Sequence, residues 1–235
     1  MELSLNNGFL CVKFTKPVTA AADMDNGQGF FITFEGPEGA GKSSQVAALA
    51  AYLAERGRTC LLTREPGGTP LAEQLRAVVK SHHDREKIHP ETELLLIEAA
   101  RAQHVREVIL PALAAGKVVI CDRFYDSTTA YQGGARHLQY GIINALNRFA
   151  AVDRAPDLTF LMDLPPEIGF DRIRRRENEG YDRFEHEDLE FHRAVRAAFL
   201  RVAENDPKRV RVLDATLPRE ELGAIIRKTV DEHLF

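Results

Sequence analysis

A glycine-rich segment between an apolar run and a helix-forming run is the feature that most constrains the fold of this chain. The segment reads Gly36-Pro37-Glu38-Gly39-Ala40-Gly41-Lys42-Ser43 and matches the pattern G-x-x-x-x-G-K-[S/T]. Residues 30–34 before it are apolar and β-prone, and residues 44–56 after it are rich in Ala, Leu and Gln. This order predicts a strand, a loop and a helix N-terminus, where backbone N–H groups converge on phosphate oxygens and the helix dipole favours negative charge.

The pattern also assigns chemistry to two side chains of the loop. Lys42, expected to be exposed there, reaches the β- and γ-phosphates of a nucleoside triphosphate, and the hydroxyl of Ser43 ligates Mg²⁺. The competing interpretation is a glycine-rich turn that happens to precede a helix, and the strand and helix signals on either side disfavour it. The sequence therefore predicts a protein that binds a nucleoside triphosphate.

From residue 30 onward, strand signals and helix signals alternate along the chain. The predicted strands cover residues 30–34, 59–63, 117–121, 158–164 and 210–213. The predicted helices cover residues 44–56, 71–80, 92–115, 138–152, 166–177, 189–203 and 219–233. The strand runs are continuously apolar, which is typical of a parallel sheet covered on both faces. The pattern predicts an α/β fold of the P-loop NTPase type, a doubly wound parallel sheet with flanking helices.

Glycine and proline mark the ends of several of these elements. Gly57 and Gly116 stand where helix C-caps are expected, each directly before a strand. Pro111 predicts a break or a kink in the helix over residues 92–115. Residues 1–28 lack the periodicity of the rest and are predicted to be a loosely ordered extension ahead of a single domain over residues 29–235.

Composition narrows the partners and the compartment. The net charge of −4 argues against nucleic-acid binding, which usually requires a basic face. Three cysteines without metal-ligand spacing indicate reduced thiols in a cytoplasmic protein. No apolar run approaches the roughly 20 residues that cross a bilayer, so no membrane contact is expected.

Charged segments follow the predicted strands at the edge of the sheet where ligands bind. Residues 63–69 (TREPGGT) follow the second strand, and Asp122-Arg123-Phe124 follow the third. An apolar strand that ends in Asp122 resembles a Walker-B strand, whose acid holds Mg²⁺ directly or through water. Arg123 is placed to pair bidentately with a second phosphate. A structural ion pair between Asp122 and Arg123 is the alternative.

An arginine-dense segment follows the fourth strand. It contains Arg172, Arg174, Arg175 and Arg176, and Asp182-Arg183-Phe184-Glu185 come shortly after. We predict an arginine-rich lid over about residues 174–184, which supplies positive charge during phosphoryl transfer and excludes water. A solvated basic helix end is the alternative. Arg101 and the polar run over residues 127–134 add hydrogen-bonding groups for a base, although residues 130–132 are also compatible with a plain helix turn.

Together these segments resemble the bacterial thymidylate kinases, over nearly the whole chain from residue 30. The resemblance rests on residues 34–43 (FEGPEGAGKS), on TREPGGT, on Asp122-Arg123-Phe124 with residues 130–133 (AYQG), and on Asp182-Arg183-Phe184-Glu185. It implies a five-stranded sheet, transfer of the γ-phosphoryl group of ATP to dTMP in dTTP biosynthesis, a requirement for Mg²⁺, and a homodimer.

The resemblance also implies a role for individual residues. The catalytic residues are Lys42, Arg123, Glu38, Asp122, Arg174 and Arg176. ATP is bound by residues Gly36 to Ser43 together with Arg172 and Arg175. The dTMP-binding residues are Arg64, Glu65, Ile97, Arg101, Arg123, Ser127, Thr128, Tyr131, Gln132 and Asp182. The metal-binding residues are Ser43, Glu38, Asp122 and Glu185. Because the loop has Gly39 where some members have an arginine, the lid arginines are expected to be catalytic.

One position departs from the resemblance, and two other functions compete with it. Ile97 stands where members often have a phenylalanine that stacks on thymine, so the stacking geometry is lost. Another nucleoside monophosphate kinase, for adenylate, guanylate or cytidylate, is the nearest alternative. A non-catalytic nucleotide-binding switch would need the phosphate loop but has no use for an arginine lid or a second phosphate site.

Overall fold

Five parallel strands form the central sheet of the computed structural model, which describes residues 29–81, 86–175 and 183–235 in full. The strands are β3 (Phe30–Glu35), β4 (Cys60–Arg64), β5 (Val118–Asp122), β6 (Leu158–Asp163) and β7 (Val210–Asp214). Their order across the sheet is β4-β5-β3-β6-β7, and every neighbouring pair is parallel. The predicted doubly wound five-stranded sheet is confirmed, and each strand boundary lies within one residue of its prediction.

The helices connect these strands and cover both faces of the sheet. They are α1 (Lys42–Glu55), α2 (Pro70–Lys80), α3 (Pro90–His104), α4 (Leu110–Ala114), α5 (Tyr125–Thr128), α6 (Tyr140–Ala150), α7 (Pro166–Arg174), α8 (Leu189–Asn205) and α9 (Arg219–Leu234). One face packs against α1 and α9 through Leu53 and Ile226, and part of the other packs against α8 through Phe199. Both faces of the sheet are therefore buried, as the continuously apolar strands require. None of the described helices is long and apolar enough to cross a bilayer.

Local signals explain where several helices begin and end. Thr69 begins α2 by accepting a hydrogen bond from the amide of Ala72 at 3.1 Å, and Asp188 caps α8 through the amide of Phe191 at 2.8 Å. Gly57 and Gly116 have φ angles of 82° and 71°, which confirms both predicted C-caps.

Two π-helical segments were not predicted. Val105–Ile109 connects α3 to α4, so the predicted helix over residues 92–115 continues through a wider turn ahead of Pro111. A π turn tolerates a residue without an N–H, because the backbone hydrogen bonds change partner there. Thr129–Ala135 follows α5 directly and forms a second such segment next to the sheet edge.

Two further strands lie in residues 1–28, where only the backbone is described. Glu2–Asn6 (β1) pairs antiparallel with Phe9–Lys13 (β2), and the two form a sheet of their own. The loose order of this extension and the domain boundary at residue 29 stay predictions.

Deleting Met1 to Asp23 should leave the melting temperature and activity close to those of the full chain. The five-stranded sheet contains no strand from this segment, so its removal breaks no ladder of that sheet. Thermal denaturation of both proteins measures the effect. A fall in melting temperature of more than a few degrees would show that the extension supports the domain.

Candidate active site

A cleft of about 650 Å³ lies at the carboxyl edge of the sheet and contains most of the residues proposed from the sequence. This volume is in the range typical of small-molecule sites. The proposed residues that line it are Glu38, Gly39, Gly41, Lys42, Ser43, Arg64, Glu65, Ile97, Arg101, Asp122, Arg123, Ser127, Thr128, Tyr131, Gln132, Arg172 and Glu185. The charged segments after separate strands thus meet in one cleft.

Lys42 lies at the floor of the phosphate loop and not on its surface. Its ammonium donates hydrogen bonds to the carbonyls of Gly36 at 3.0 Å and Pro37 at 2.7 Å, and the residue is only 7 % exposed. The prediction that Lys42 is exposed was therefore wrong, because the loop wraps around its own lysine. Burial, with the nearby charge of Arg123, lowers the pKa of Lys42 to about 8, so the ammonium remains mostly protonated at pH 7.

The helix N-terminus behind the loop is open to an anion. Gly41 is the N-cap of α1 with a φ of 81°, and no side chain caps the first amides of this helix. Ala40 packs its methyl group into the core, so only its backbone faces the loop. Free amides at a helix N-terminus are the groups that bind phosphate oxygens.

Ser43 and Asp122 are the part of the site that suits a magnesium ion. The Ser43 hydroxyl donates a hydrogen bond of 2.5 Å to Asp122 Oδ2, although 79 residues separate the two in sequence. The described residues contain no group of three or more His, Cys, Asp or Glu side chains placed to hold a metal. Mg²⁺ is commonly bound by one or two protein oxygens together with phosphates and waters, and this pair fits that pattern.

Arg123 and Glu38 form a half-buried ion pair beside the phosphate loop. Arg123 Nη2 donates to Glu38 Oε1 at 2.7 Å and to the Tyr131 hydroxyl at 3.2 Å, while Nη1 donates to the Gly36 carbonyl at 2.9 Å and Ser127 Oγ at 3.0 Å. Burial raises the pKa of Glu38, but Arg123 and Lys42 outweigh it and hold that pKa at about 2. The partner of Arg123 is thus the loop acid rather than Asp122.

Glu35 supports this arrangement, and the sequence reasoning missed it. Its carboxylate accepts hydrogen bonds from the Phe124 amide at 2.7 Å and from Ser127 Oγ at 2.5 Å. These bonds hold the turn in which Arg123 adopts a left-handed φ of 69°. Burial and the nearby Asp126 raise the pKa of Glu35 to about 8. Glu35 is a charged residue at the end of the otherwise apolar strand β3, and this pattern in the sequence could have marked it as a site residue.

Arg101 lies at the centre of a buried network. Its Nε donates to Glu65 at 2.7 Å, Nη1 to Glu98 at 2.6 Å and Asn147 at 2.9 Å, and Nη2 to Thr128 at 2.9 Å. Four of the five guanidinium hydrogens are therefore used within the protein. One hydrogen on Nη2 is left for a ligand in the cleft.

Glu65 orients both Arg101 and a buried histidine. Glu65 Oε1 lies 2.9 Å from His104 Nδ1, and His104 Nε2 lies 2.6 Å from the hydroxyl of Thr63. Glu65 is 3 % exposed and His104 is fully buried. Arg64, in contrast, is mostly exposed and pairs with Glu73 at 3.0 Å on the rim of the cleft.

The arginines predicted to form a lid fall into two groups. Arg172 lines the cleft and donates to the carbonyl of Gly39 at 3.3 Å. Arg174 and Arg175 are exposed and do not line the cleft, and Arg174 lies 3.9 Å from Asp171. Arg176 and Asp182 lie outside the described residues.

The approach of α7 to the phosphate loop explains why position 39 has no side chain. A Cβ at Gly39 would lie 2.6 Å from the carbonyl oxygen of Gly169, and the φ of Gly39 is 74°. A side chain there would be strained and would collide with the α7 backbone. The backbone at this loop position therefore disfavours an arginine, and a catalytic role for the arginines after β6 stays a prediction.

Several residues of the cleft were not proposed from the sequence. Arg76, Val79 and Lys80 of α2 form one wall, and Phe184 contributes from the segment after residue 182. The Phe184 ring meets the Tyr131 ring edge-on at 5.8 Å between centroids. These α2 residues carry no local pattern that separates them from an ordinary amphipathic helix.

Comparisons with known proteins agree with this geometry. The thymidylate kinase family profile matches residues 34–226. A thymidylate kinase from Thermomicrobium roseum is 51% identical over 203 residues, which cover 86% of this chain and 95% of the relative. A thymidylate kinase from Pseudomonas fluorescens is 56% identical over 190 residues, covering 81% and 89% respectively.

A solved structure shows the same architecture. The crystal structure of thymidylate kinase from Ehrlichia chaffeensis superposes with a TM-score of 0.69 at 34% identity, and covers 86% of this chain and 99% of its own. The family profile spans most of the chain. In the structure, residues of the phosphate loop line one cleft together with Arg123 and Arg172. On this evidence the chain belongs to the thymidylate kinase family.

Proposed function

We propose that the chain transfers the γ-phosphoryl group of ATP to dTMP, with ATP on the phosphate loop and dTMP in the part of the cleft lined by α3 and the segment after β5. The observation that carries this proposal is the position of Arg123. Its guanidinium lies beside the loop that holds the donor phosphates, and its next neighbours are the polar residues Ser127 and Tyr131. Two phosphate-binding regions therefore share one cleft, which a kinase needs and a nucleotide switch does not.

The reaction needs positioned charge rather than a side-chain base. A phosphate oxygen of dTMP is already ionised and attacks the γ-phosphorus in line, while ADP leaves with the electrons of the broken P–O bond. Lys42 and Arg123 supply fixed positive charge around the transferring group. Arg172 is the described lid arginine placed to add to it, and a catalytic role for Arg174, Arg175 or Arg176 requires these side chains to reach the cleft.

Magnesium would be held by Ser43 and Asp122. Bound there with the phosphates, it would neutralise charge on the β- and γ-phosphate oxygens. Glu185 lines the same cleft and is a further candidate ligand. Glu38 is committed to Arg123 at 2.7 Å, so its contribution to the metal is expected through water.

Phosphoryl transfer measured across the common nucleoside monophosphates tests the proposal. The expected result is ATP-dependent formation of ADP that requires dTMP and is much slower with AMP, GMP or CMP. ADP release that is independent of any monophosphate would favour a nucleotide-binding switch instead. Preference for another monophosphate would reassign the acceptor half of the cleft.

Replacing Ile97 with phenylalanine should tighten dTMP binding by about 0.5–1.5 kcal/mol, because an aromatic ring can stack on thymine. Ile97 is 7 % exposed and lines the cleft, so the new ring would reach the proposed base site. The dTMP affinity and the melting temperature are measured together, with Ile97→Leu as a control of similar volume. A lower melting temperature without tighter binding would indicate overpacking. No change in either value would mean that position 97 does not face the base.

We also propose that the protein is a homodimer, as the resemblance implied. Large apolar side chains are exposed on helices that pack together, with Phe149 79 % exposed and Ile142 53 % exposed on α6, and Leu95 58 % exposed on α3. Ile142 and Phe149 are seven residues apart and lie on one helix face. A face of this kind fits contact with a second copy. Sedimentation of the purified chain is the measurement, and a monomer at micromolar concentration would contradict the proposal.

A cytoplasmic location is proposed from the thiols of the described domain. Cys60 and Cys121 are both free, and burial raises the pKa of Cys60 to about 11. Burial also raises the pKa of the Cys121 thiol well above its usual range. Protonated thiols, of which Cys121 is buried and Cys60 half-buried, suit a reducing compartment.

A further inference from the structure

A fully buried carboxylate lies behind the acceptor half of the cleft and is not part of its wall. Glu93 belongs to the first turn of α3 and is 0 % exposed. It accepts a hydrogen bond from Gln132 Nε2 at 2.6 Å. Gln132 is 1 % exposed and does line the cleft. Glu93 thus does not line the cleft itself but contacts Gln132, which does.

Two arginines pair with the same carboxylate. Arg183 Nη2 donates to Glu93 Oε2 at 2.5 Å, and Arg136 Nη2 donates to it at 3.3 Å. Arg136 Nη2 also donates to Glu187 Oε1 at 2.5 Å. The two acids and two arginines balance in charge, and each arginine donates a hydrogen bond to the buried Glu93 while the other three side chains are partly exposed. Such a cluster leaves Glu93 as a hydrogen-bond acceptor only.

An acceptor at this position fixes which end of the Gln132 amide faces the cleft. A glutamine amide has a donor end and an acceptor end, and either can point forward until a partner selects one. Because Glu93 accepts, the NH₂ group must turn toward it. The atom left to the cleft is Oε1, which accepts no hydrogen bond from any residue that the structure describes.

We propose that Glu93 is a positioning residue that makes the acceptor site select a pyrimidine with an N3–H group. Thymine carries a donor at N3, whereas N3 of cytosine is an acceptor and would face Gln132 Oε1 without a proton between them. A buried mismatch of this kind is costly, because both lone pairs lose hydrogen bonds to water. This inference rests on the proposed placement of dTMP, and it names the residue that sets base selection there.

The anchoring of residues 183–187 is a second consequence of the same cluster. Arg183 reaches across to α2, where its Nε donates to the Val79 carbonyl at 2.9 Å. Phe184, the next residue, lines the cleft and packs on Tyr131. Glu93 therefore holds the Gln132 amide on one wall and a cleft-lining segment on another.

The test compares Glu93→Gln with Glu187→Gln by measuring kcat/KM for dTMP and for dCMP. Glutamine at position 93 can donate as well as accept, so the Gln132 amide is free to turn. The dTMP-to-dCMP ratio should fall at least about tenfold, mainly through weaker binding of dTMP. Glu187→Gln removes the same charge from the same cluster but leaves the Glu93–Gln132 bond, so its ratio should stay close to the wild-type value. Calorimetric dissociation constants for both nucleotides give the same comparison without turnover.

Two further variants separate positioning from a general loss of structure. Glu93→Asp keeps the charge but draws the carboxylate back from Gln132, so it should also lower the dTMP-to-dCMP ratio. It serves as the test if Glu93→Gln does not fold. In a Gln132→Leu background, Glu93→Gln should leave the ratio unchanged, because the amide it orients is gone. Equal losses for dTMP and dCMP in every variant, or a ratio that falls equally in the Gln132→Leu background, would overturn the inference. Failure of the wild-type protein to phosphorylate dTMP would instead contradict the proposed function.

Discussion

Lys42→Ala is expected to lower kcat about 10²–10³-fold, since one fixed positive charge at the transferring group is worth several kcal/mol of barrier. The Lys42 ammonium is held by the Gly36 and Pro37 carbonyls at the floor of the phosphate loop. With a pKa of about 8 it is mostly charged at pH 7. Alanine removes the charge and leaves the loop amides in place, so ATP should still bind, more weakly.

The fold should survive this substitution even though Lys42 is buried. Both carbonyls lose the hydrogen bond from Lys42, but the Gly36 carbonyl still accepts one from Arg123 at 2.9 Å. Only the Pro37 carbonyl is left without its side-chain donor. One such loss costs about 1–3 kcal/mol of folding free energy. Thermal denaturation and single-turnover phosphoryl transfer are measured together, with the exposed Lys228→Ala on α9 as the matched control. Wild-type turnover in a folded Lys42→Ala protein would remove the phosphate loop from the mechanism.

The sequence predicted the fold and the contents of the cleft well because both depend on local patterns. Continuous apolar runs set the five strands, and the carboxyl ends of parallel strands must meet at one edge. Asp122 and Ser43, which are far apart in sequence, could therefore be assigned to one place. The structure brings them within 2.5 Å of each other.

What the sequence did not predict are the partners of buried charges. Arg101 bonds to Glu65 and Asn147, which lie 36 and 46 residues away along the chain. Glu93 stands in a helix whose polar and apolar positions look ordinary, and its arginine partners come from two later segments. Such pairings depend on how helices pack over one another, and periodicity carries no information about them.

The π-helical segment Thr129–Ala135 was not predicted for a related reason. Its backbone hydrogen bonding differs from that of an α-helix, but the segment is too short for its side-chain pattern to show the difference.

Arg123→Ala should damage the use of dTMP far more than the use of ATP. The guanidinium joins Glu38 and Gly36 of the phosphate loop to Ser127 and Tyr131. Alanine at this position removes the cation proposed to hold the acceptor phosphate. We expect kcat/KM for dTMP to fall about 10²–10³-fold, as for other fixed charges at a transferring phosphoryl group.

The comparison with Arg123→Lys separates charge from geometry. Lysine keeps the positive charge but cannot make the paired contacts of a planar guanidinium, so it should recover part of the turnover and little of the dTMP affinity. The loss of Arg123 also removes the main positive partner of Glu38, whose pKa should rise from about 2 toward its ordinary value. If ionised Glu38 is needed, the low-pH limb of the kcat/KM profile for dTMP should then move to higher pH in Arg123→Ala and stay at low pH in Arg123→Lys.

Initial rates over a matrix of ATP and dTMP concentrations give the KM for ATP and the KM for dTMP of each variant. An effect confined to ATP would place Arg123 on the donor side, and the assignment of the acceptor phosphate to Arg123 would be wrong.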